Sequence, residues 1–350
     1  MRLAELWSEA WRNVISGASR SFLFGSGFTI VVGALVTVDV ITARDLAQTS
    51  AEFRRAGAAT VVLVAPGSIS GSACDRLADI EGVAAAGAVQ TSASRVLTLS
   101  APDNPLEVHE ATPGFAGVLG RPRTEGLMLD AHAAHTYGVN PGGALLTRQG
   151  TLRLSEVFDY PDDGRDPMLF DAAVATSRSR ARFDQCWATI WPYDPSAWSA
   201  MATAVVPSAT AGAPTSQSQL NGRLGERLTV AEAYADRPTR WAPLVAGIAG
   251  LITALMGAFR RRLELAHARH LGLTISEQSW QLVLEWAFTL PASVAVLACT
   301  VTALVAPPQA WLFELAARIV ASGVVGAIAG AALGALVVRD RQLFGYFKGR

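Results

Sequence analysis

Four long hydrophobic runs stand out in the pattern of apolar and polar residues along this chain. Each run reaches the roughly 20 residues that an α-helix needs to cross about 30 Å of hydrocarbon. The pattern therefore predicts an α-helical four-span membrane bundle, with transmembrane helices at residues 21–43, 241–259, 278–306 and 310–338.

The ends of these runs support a membrane location. Trp241, Trp280 and Trp311 lie where aromatic side chains sit at the level of the lipid headgroups. For the first run a cleaved signal peptide is the alternative. The apolar stretch is longer than the hydrophobic region of a signal peptide, however, and no clear small-x-small cleavage site is present.

Basic residues predict how the chain is threaded through the membrane. They cluster before the first run, between the second and third, and in the tail at residues 339–350, whereas the connection at 307–309 has none. Because basic loops stay in the cytoplasm, both termini are predicted to be cytoplasmic and residues 44–240 to lie outside. The basic residues concerned are Arg2, Arg12, Arg20, Arg260, Arg261, Arg262, Arg269, Arg339, Arg341, Lys348 and Arg350.

Residues 44–240 carry charges of both signs and many turn residues, as a water-soluble domain does. Runs of β-branched residues predict strands, and capped stretches with one apolar face predict helices. An extracytoplasmic α+β domain between the first two spans is therefore expected. Its predicted strands are 59–65, from 83 onward with 95–100 as the clearest part, 126–130, 171–176 and 186–191. Its predicted helices are 72–80, 131–137 and 223–236, with a hairpin at 144–149 and 151–158 and a loose connection at 200–218.

Two of the three cysteines, Cys74 and Cys186, fall in this outer segment, where oxidation is permitted. A disulfide between them would close a loop of about 110 residues and stabilise the fold by a few kcal/mol. Two separate buried thiols are the alternative. Cys299 lies within the third span and is expected to be a small packing residue.

Composition agrees with a membrane protein and argues against several functions. Apolar residues make up 51% of the chain and charged residues only 17%, with a mean hydropathy of +0.29. The 29 basic residues balance 29 acidic ones, which argues against nucleic-acid binding. Lys348 is the only lysine, so the chain has no phosphate-binding loop of the Gly-Lys type. Neither His-Glu-x-x-His, Gly-x-Ser-x-Gly nor a dinucleotide fingerprint occurs, and no catalytic site is predicted.

Some titratable residues are weaker candidates for function. Asp39 and Glu285 lie near span ends, where either a proton path or simple interfacial hydration would explain a charge. Two histidine pairs lack a nearby carboxylate or cysteine partner, so no metal site is expected. These pairs are His132 with His135 and His267 with His270.

Residues 1–20 predict an amphipathic helix on the cytoplasmic surface of the membrane. At helical spacing, apolar residues collect on one face and charges elsewhere. A plain leader with accidental periodicity is the alternative. The apolar face is formed by Leu3, Leu6, Trp7, Ala10 and Val14.

The segment between the second and third spans, residues 260–277, predicts a rigid cytoplasmic elbow. Helical periodicity continues the second span, and Gly272 supplies a stop. Thr274 and Glu277 form a capping box that starts the next helix. Such an elbow can transmit force from a cytosolic partner; a topogenic loop without a partner is the alternative. Its residues are Arg260, Arg261, Arg262, Glu264, Arg269, Leu271, Gly272 and Leu273.

The last two spans carry residues with special packing properties. Gly326, Gly330 and Gly334 recur at four-residue spacing, which permits close helix approach either within one subunit or between subunits. Pro291 is expected to kink or soften the third span.

The order of one span, an outer domain of about 200 residues and three further spans resembles the MacB/FtsX-type permeases of ABC transporters. The elbow matches their pattern from Arg262 to Gly272, and Glu285 follows in the next span. LMLDAHAAHTYGVNPGGALL at 127–146, followed by TLRLSEVF at 151–158, resembles the MacB-like extracytoplasmic core domain. The chain departs from the family in its tail, which reads VVRDRQLFGYFKGR where relatives often have a Pro-Ala-x-x-Ala-type basic segment.

This resemblance implies a non-catalytic permease subunit in the bacterial cytoplasmic membrane. It would work as a dimer, with a second copy or a related permease, and with two copies of a separate cytosolic ATPase that binds ATP and Mg. No cofactor is expected in this chain. ATP binding would push on the elbows and move the outer domains, which is termed mechanotransmission.

The process driven in this way would be export of a peptide, antibiotic or lipid-linked substrate. Control of an outer partner, such as a binding protein, lipoprotein or cell-wall hydrolase, is the other use known in relatives. A membrane-anchored sensor or scaffold without ATP coupling is the alternative function, and a proton-driven transporter built on Asp39 and Glu285 is a weaker one.

Overall fold

The structure, a computed structural model, describes residues 3–123, 125–176, 182–206, 215–225 and 228–338. The chain divides into two compact units. The helical unit comprises residues 1–47 and 231–350, and the sheet unit comprises Gln48–Val230. The predicted tail at 339–350 lies outside the described residues.

The helices follow from the long apolar runs and from short capped segments between strands. In chain order they are α1 (Leu3–Ile15), α2 (Ser21–Arg55), α3 (Gly71–Arg76), α4 (Phe115–Val118), α5 (Ala131–Tyr137), α6 (Pro195–Ala200), α7 (Val230–Ala235), α8 (Ala242–Arg260), α9 (Arg262–His270), α10 (Ile275–Leu304) and α11 (Ala310–Val337).

Four helical segments among the described residues are long and apolar enough to cross a membrane. They are α2, Pro238–Arg260 with α8, α10 and α11, and their mean hydropathies are 1.9 to 2.1. Each corresponds to one predicted span, so this chain is a membrane protein with an α-helical four-span bundle. Trp241, Trp280 and Trp311 are exposed, as aromatic residues at a membrane interface are.

The first membrane helix is longer than its apolar run. The polar residues after Thr42 are mostly good helix formers, and α2 continues through them to Arg55. It ends just before Gly57, whose φ of +73° suits glycine at a helix C-terminus. In the third span, α10 runs without interruption through Pro291.

The glycine stripe of the fourth span packs α11 against α8 of the same chain. A Cβ built on Gly326 would overlap the backbone of Gly247, and one built on Gly334 would lie 2.6 Å from the Cβ of Ala258. The backbones approach each other as small-residue stripes permit. Of the two arrangements predicted, within or between subunits, the structure shows the one within the subunit.

The N-terminal helix α1 packs on α10. Leu6 and Ala10 are buried. The rings of Trp7 and Trp11 lie 4.7 and 5.1 Å from that of Phe288, although about half of each tryptophan is exposed. The buried side of α1 therefore faces a helix of the bundle.

The sheet unit is built on one nine-stranded mixed sheet with the order β5-β6-β4-β7-β3-β2-β8-β1-β9. The β3–β7 and β4–β6 pairs are parallel and the others antiparallel. The strands are β1 (Thr60–Ser70), β2 (Val83–Val96), β3 (Leu106–Ala111), β4 (Gly126–Asp130), β5 (Ala144–Thr147), β6 (Gly150–Phe158), β7 (Ala173–Thr176), β8 (Arg182–Ile190) and β9 (Ser216–Gln219).

The cysteines confirm one prediction and correct another. Cys74 and Cys186 are fully buried and form a disulfide with a Cα–Cα distance of 5.8 Å. The expected packing role of Cys299 was wrong, because its side chain is exposed. The buried positions of α10 nearby are Leu297 and Val301. Residue 299, midway between them, lies on the opposite face of the helix.

Several strand predictions were wrong. The segment 95–100 is strand only as far as Val96, because Thr98 closes a turn by accepting the N–H of Ala101. Strand β1 continues through Pro66–Gly67 by shifting its register between Val64 and Ile69.

Two strands and one helix also differ from the sequence analysis. Strand β3 was missed, and β9 lies in the segment expected to be a loose connection. Among the described residues, the helix predicted at 223–236 is limited to α7, and Gly225 has a φ of +92° that does not continue a helix.

Candidate functional site

The candidate site is the elbow, residues 260–277, whose shape follows from three local features. Helix α8 ends at Arg260, and Arg261 adopts φ −101° and ψ 15°, so the predicted continuous helix is broken there before α9 begins. Gly272 follows the end of α9 with a φ of +101°. This backbone conformation is open to glycine but unfavourable for a residue that has a side chain. Thr274 then caps α10, with the Glu277 N–H donating to its Oγ1 and the Glu277 carboxylate accepting from its N–H.

A buried ion-pair network lies where α8 meets the elbow. Arg261 donates from Nη1 to Glu285 Oε2 at 2.5 Å and from Nε to Glu264 Oε2 at 3.0 Å. Asn13 of α1 donates from Nδ2 to Glu285 Oε1 at 2.9 Å. We call these four residues the elbow base. It joins the elbow to both α1 and α10.

The energetics of the elbow base make it a specific joint. Arg261 is 8% exposed and Glu285 5%, and the desolvation of such charges is offset only when they are paired and hydrogen-bonded. Removing Glu285 leaves the buried Arg261 with only the exposed Glu264 as partner, and losing one member of a buried pair costs about 3–5 kcal/mol. The position of the elbow is therefore tied to one register of α10 and α1.

A second polar contact joins the elbow to the last turn of α11. Arg269 donates from Nη1 to the Val338 carbonyl at 2.5 Å and from Nη2 to the Ala335 carbonyl at 2.6 Å. The final carbonyls of a helix have no partner within it, and a cation there also interacts favourably with the helix dipole. Arg269 also donates to Gln278 Oε1, while the fully buried Gln278 donates to the Leu265 carbonyl at 2.7 Å.

The outward side of the elbow is apolar at its tip, with two histidines beside it. Leu271 is 74% exposed and Ile275 45% exposed. His267 and His270 are also exposed on α9. An apolar tip on a braced turn presents a contact surface that the described residues of the helical unit do not cover.

The predicted elbow residues thus divide into distinct groups. Arg261, Glu264 and Arg269 belong to the polar contacts, whereas Leu271 and Gly272 form the tip. The remaining predicted residues make other contacts: Arg260 is exposed, Arg262 lies over the Phe259 ring with 4.7 Å to its centroid, and Leu273 is half-buried.

Sequence reasoning missed Asn13 and Gln278. Each is an amide in an otherwise apolar or amphipathic helix face, and that is the signal that could have found them. Neither residue belongs to a recognised sequence motif, and Asn13 lies 272 residues from its hydrogen-bond partner, Glu285.

A second ion pair lies elsewhere in the helical unit. Arg237 Nε donates to Asp39 Oδ1 at 3.1 Å, and the Arg237 guanidinium stacks 3.7 Å from the Tyr234 ring centroid. Asp39 is fully buried, and its Oδ2 has no hydrogen-bond partner among the described residues. Interfacial hydration was therefore the wrong expectation for Asp39 and Glu285, because both carboxylates are buried and paired with arginines.

The histidine pairs do not form a metal centre in the part of the chain that the structure describes. That part contains no group of three or more His, Cys, Asp or Glu side chains placed to hold a metal ion. His132 instead bonds through Nδ1 to Asp171 Oδ1 at 2.5 Å.

Comparison with known proteins gives matches among solved structures alone. No family model matches the chain. No curated protein matches it either. The periplasmic region of MacB from Actinobacillus actinomycetemcomitans is similar over 53% of this chain and 96% of its own length, with 10% identity and a TM-score of 0.34. A domain of a protein described as a permease, from Porphyromonas gingivalis, is similar over 51% and 96%, with 13% identity and a TM-score of 0.30.

Both names agree with the resemblance to MacB/FtsX-type permeases that the sequence shows.

Proposed function

We propose that this chain is the permease subunit of an ABC transporter complex and converts ATP hydrolysis by a separate cytosolic ATPase into movement of its sheet unit. The observation that carries the proposal is the braced elbow. Its exposed apolar tip is connected through Arg261 and Arg269 to α1, α10 and α11. A force on the tip would reach three helices through short polar contacts.

The proposal includes an orientation and an assembly. The elbow and both termini lie in the cytoplasm, and the sheet unit lies outside, where its disulfide persists. Two copies of this chain, or one copy and a related permease, assemble with two ATPase subunits. ATP and Mg bind to the ATPase, and this chain supplies no catalytic group.

The sheet unit would transmit the movement to an outer partner or substrate. The chain passes between the two units through α2 and again near residue 230, so a shift of the bundle acts on the sheet unit at two points. Export of a peptide, antibiotic or lipid-linked molecule and control of an outer protein are both outcomes of such a movement.

The test is purification of the full chain from its own membranes, followed by mass spectrometry and ATP hydrolysis measurements. We expect an ATP-hydrolysing subunit to copurify, with one ATPase for each permease subunit. Leu271→Asp should reduce the amount of ATPase that this chain retains at least tenfold. A charge then replaces an apolar contact at the tip, while no internal packing is lost.

The matched control is Leu146→Asp, since Leu146 is also exposed but lies on β5 of the sheet unit. This variant should retain the ATPase fully. Equal retention of the ATPase by both variants would remove the elbow from the interface. Absence of any ATPase from the wild-type preparation would favour the sensor or scaffold.

A further inference from the structure

The sheet unit contains an open cavity that the proposed function does not use. Its volume is about 400 Å³, within the range of small-molecule sites. The residues that matter for its chemistry come from β2, β3, α5 and the loop before β7. We call this cavity the Phe170 cleft. The residues concerned are Arg95, Glu107, Tyr137, Phe170 and Asp171.

The wall formed by Asp171 is held in an unusual backbone conformation. Asp171 has a φ of +56°, and among residues other than glycine in the described chain only Arg20 shares a positive φ. Its N–H donates to Asp130 Oδ2 at 3.1 Å, while Asp130 Oδ1 accepts the Tyr160 N–H at 3.2 Å. Asp130 is 1% exposed, so a buried carboxylate is devoted to fixing this loop. Backbone strain of this kind concentrates at ligand sites.

An aromatic surface adjoins that carboxylate. The Phe170 ring stacks on His132 with 5.5 Å between centroids and 19° between planes, and Phe170 remains 41% exposed. His132 is itself held by its hydrogen bond to Asp171, which raises the pKa of the imidazole. The orientation of Phe170 is thus supported by a second ring stacked on one of its faces.

The cleft offers a ligand cation two carboxylates, each of which has an exposed basic neighbour. Glu107 and Asp171 line it with Arg95, and His132 bonds through Nδ1 to Asp171 Oδ1 in a pair whose side chains are 62% and 46% exposed. Arg95 Nη2 lies 3.5 Å from Glu107 Oε1, but both side chains are at least half exposed, so the pair is weak and open to exchange. A ligand cation beside carboxylates and an aromatic face gains charge-assisted hydrogen bonds and a cation–π contact.

We propose that the Phe170 cleft binds the ammonium group of a small ligand, between the Phe170 ring and the carboxylates of Asp171 and Glu107. A polyamine and the free amino terminus of a short peptide share this chemistry. The inference is independent of the ATPase, because it concerns residues of the sheet unit alone.

The test is isothermal titration calorimetry of the purified full-length chain with three probes: spermidine, tetraalanine and N-acetyl-tetraalanine. We expect saturable binding of spermidine or of tetraalanine. The acetylated peptide, which lacks the ammonium group, should bind at least tenfold more weakly than whichever of these two binds. Which of the first two binds more tightly distinguishes the polyamine from the peptide terminus. If neither spermidine nor tetraalanine binds with a Kd below 10 mM, which corresponds to a binding free energy of roughly −3 kcal/mol, the proposal is wrong.

Two variants test the residues. Asp171→Asn removes the charge but keeps a residue type that tolerates positive φ, and Glu107→Gln changes the other wall. Each should weaken binding about tenfold or more, whereas Asp162→Asn, an exposed acid of the same unit outside the cleft, should not. Should Asp171→Asn fail to fold, Glu107→Gln still decides. Unchanged affinity in Glu107→Gln, or an equal loss in Asp162→Asn, would overturn the assignment.

Discussion

The helical unit and the sheet unit differ in the partners that stabilise their buried charged groups. In the helical unit the buried charges are paired with side chains far away in sequence: Arg261 with Glu285, and Asp39 with Arg237. In the sheet unit the buried carboxylate of Asp130 accepts backbone N–H groups instead. Pairs of side chains can exchange partners when helices move, whereas a carboxylate bound to backbone fixes one loop.

The two units also differ in how their elements are held together. The sheet unit has a nine-stranded hydrogen-bond ladder and a disulfide between α3 and β8. The helical unit has apolar contacts, close glycine packing and a few polar joints. This contrast agrees with the proposed function, in which helices with discrete joints move a rigid sheet unit.

The largest effect expected is on the disulfide of the sheet unit. Cys74 and Cys186 are 112 residues apart. In the chain-entropy model a loop of about 100 residues corresponds to about 4.7 kcal/mol. Replacing both with alanine, or reducing the wild type, should lower the midpoint of thermal unfolding of the sheet unit. Cys299→Ala is the control, since that thiol is exposed and free. An unchanged thermal midpoint under reducing conditions would mean that the sheet unit is stable without the disulfide, through the hydrogen bonds of its strands.

The next effect distinguishes the helical unit. Glu285→Ala leaves Arg261 buried with only the exposed Glu264 as partner, and should cost about 3–5 kcal/mol. The double variant Glu285→Ala with Arg261→Met should recover much of this, because no buried charge remains. Thermal unfolding of the purified chain measures both.

A surface pair provides the control for Glu285. Glu314 and Arg318 on α11 are 2.6 Å apart but more than 60% exposed, so Glu314→Ala should cost less than about 1 kcal/mol. If the double variant is no more stable than Glu285→Ala, the loss reflects packing instead of an uncompensated charge.

The sequence predicted the features that depend on local patterns. Hydropathy located the four spans, and the Thr274–Glu277 spacing indicated the cap that α10 has. The disulfide followed from the compartment assigned to residues 44–240. Strand β9 was missed because Ser216–Gln219 has no apolar residue, and it forms only by pairing with the buried β1.

The contacts that make the elbow a joint were beyond the sequence, because they depend on tertiary structure. Asn13 and Glu285 are 272 residues apart. Likewise, nothing near Arg269 indicates that it binds the end of α11, 66 and 69 residues later. Periodicity finds the face of a helix, but it does not identify which distant helix completes a polar contact.

A smaller effect tests the close packing in the helical unit. Gly326→Ala should cost about 1–3 kcal/mol, because its Cβ would overlap the Gly247 backbone, which cannot rotate away as a side chain can. Gly27→Ala on α2 is the matched control, since its Cβ would meet no atom within 4 Å, and helix propensity favours alanine there. The measurement is the thermal midpoint of each variant. Equal midpoints for the two variants would indicate that α8 and α11 separate without loss.

The smallest effect concerns a surface pair of the sheet unit. The hydrogen bond and charge of Asp171 raise the folded-state pKa of His132 above its usual 6.5. A raised histidine pKa stabilises the fold fully below the unfolded value, and this contribution is lost as pH rises through the folded pKa. The thermal midpoint of the wild type should therefore exceed that of His132→Gln most at pH 5–6, and the two curves should converge at alkaline pH. In an Asp171→Asn background, where the partner's charge is absent, this pH-dependent difference should disappear. If the difference for His132→Gln is the same at every pH, His132 contributes through ring stacking on Phe170, and the charge of the His132–Asp171 pair has no part in the stability of the sheet unit.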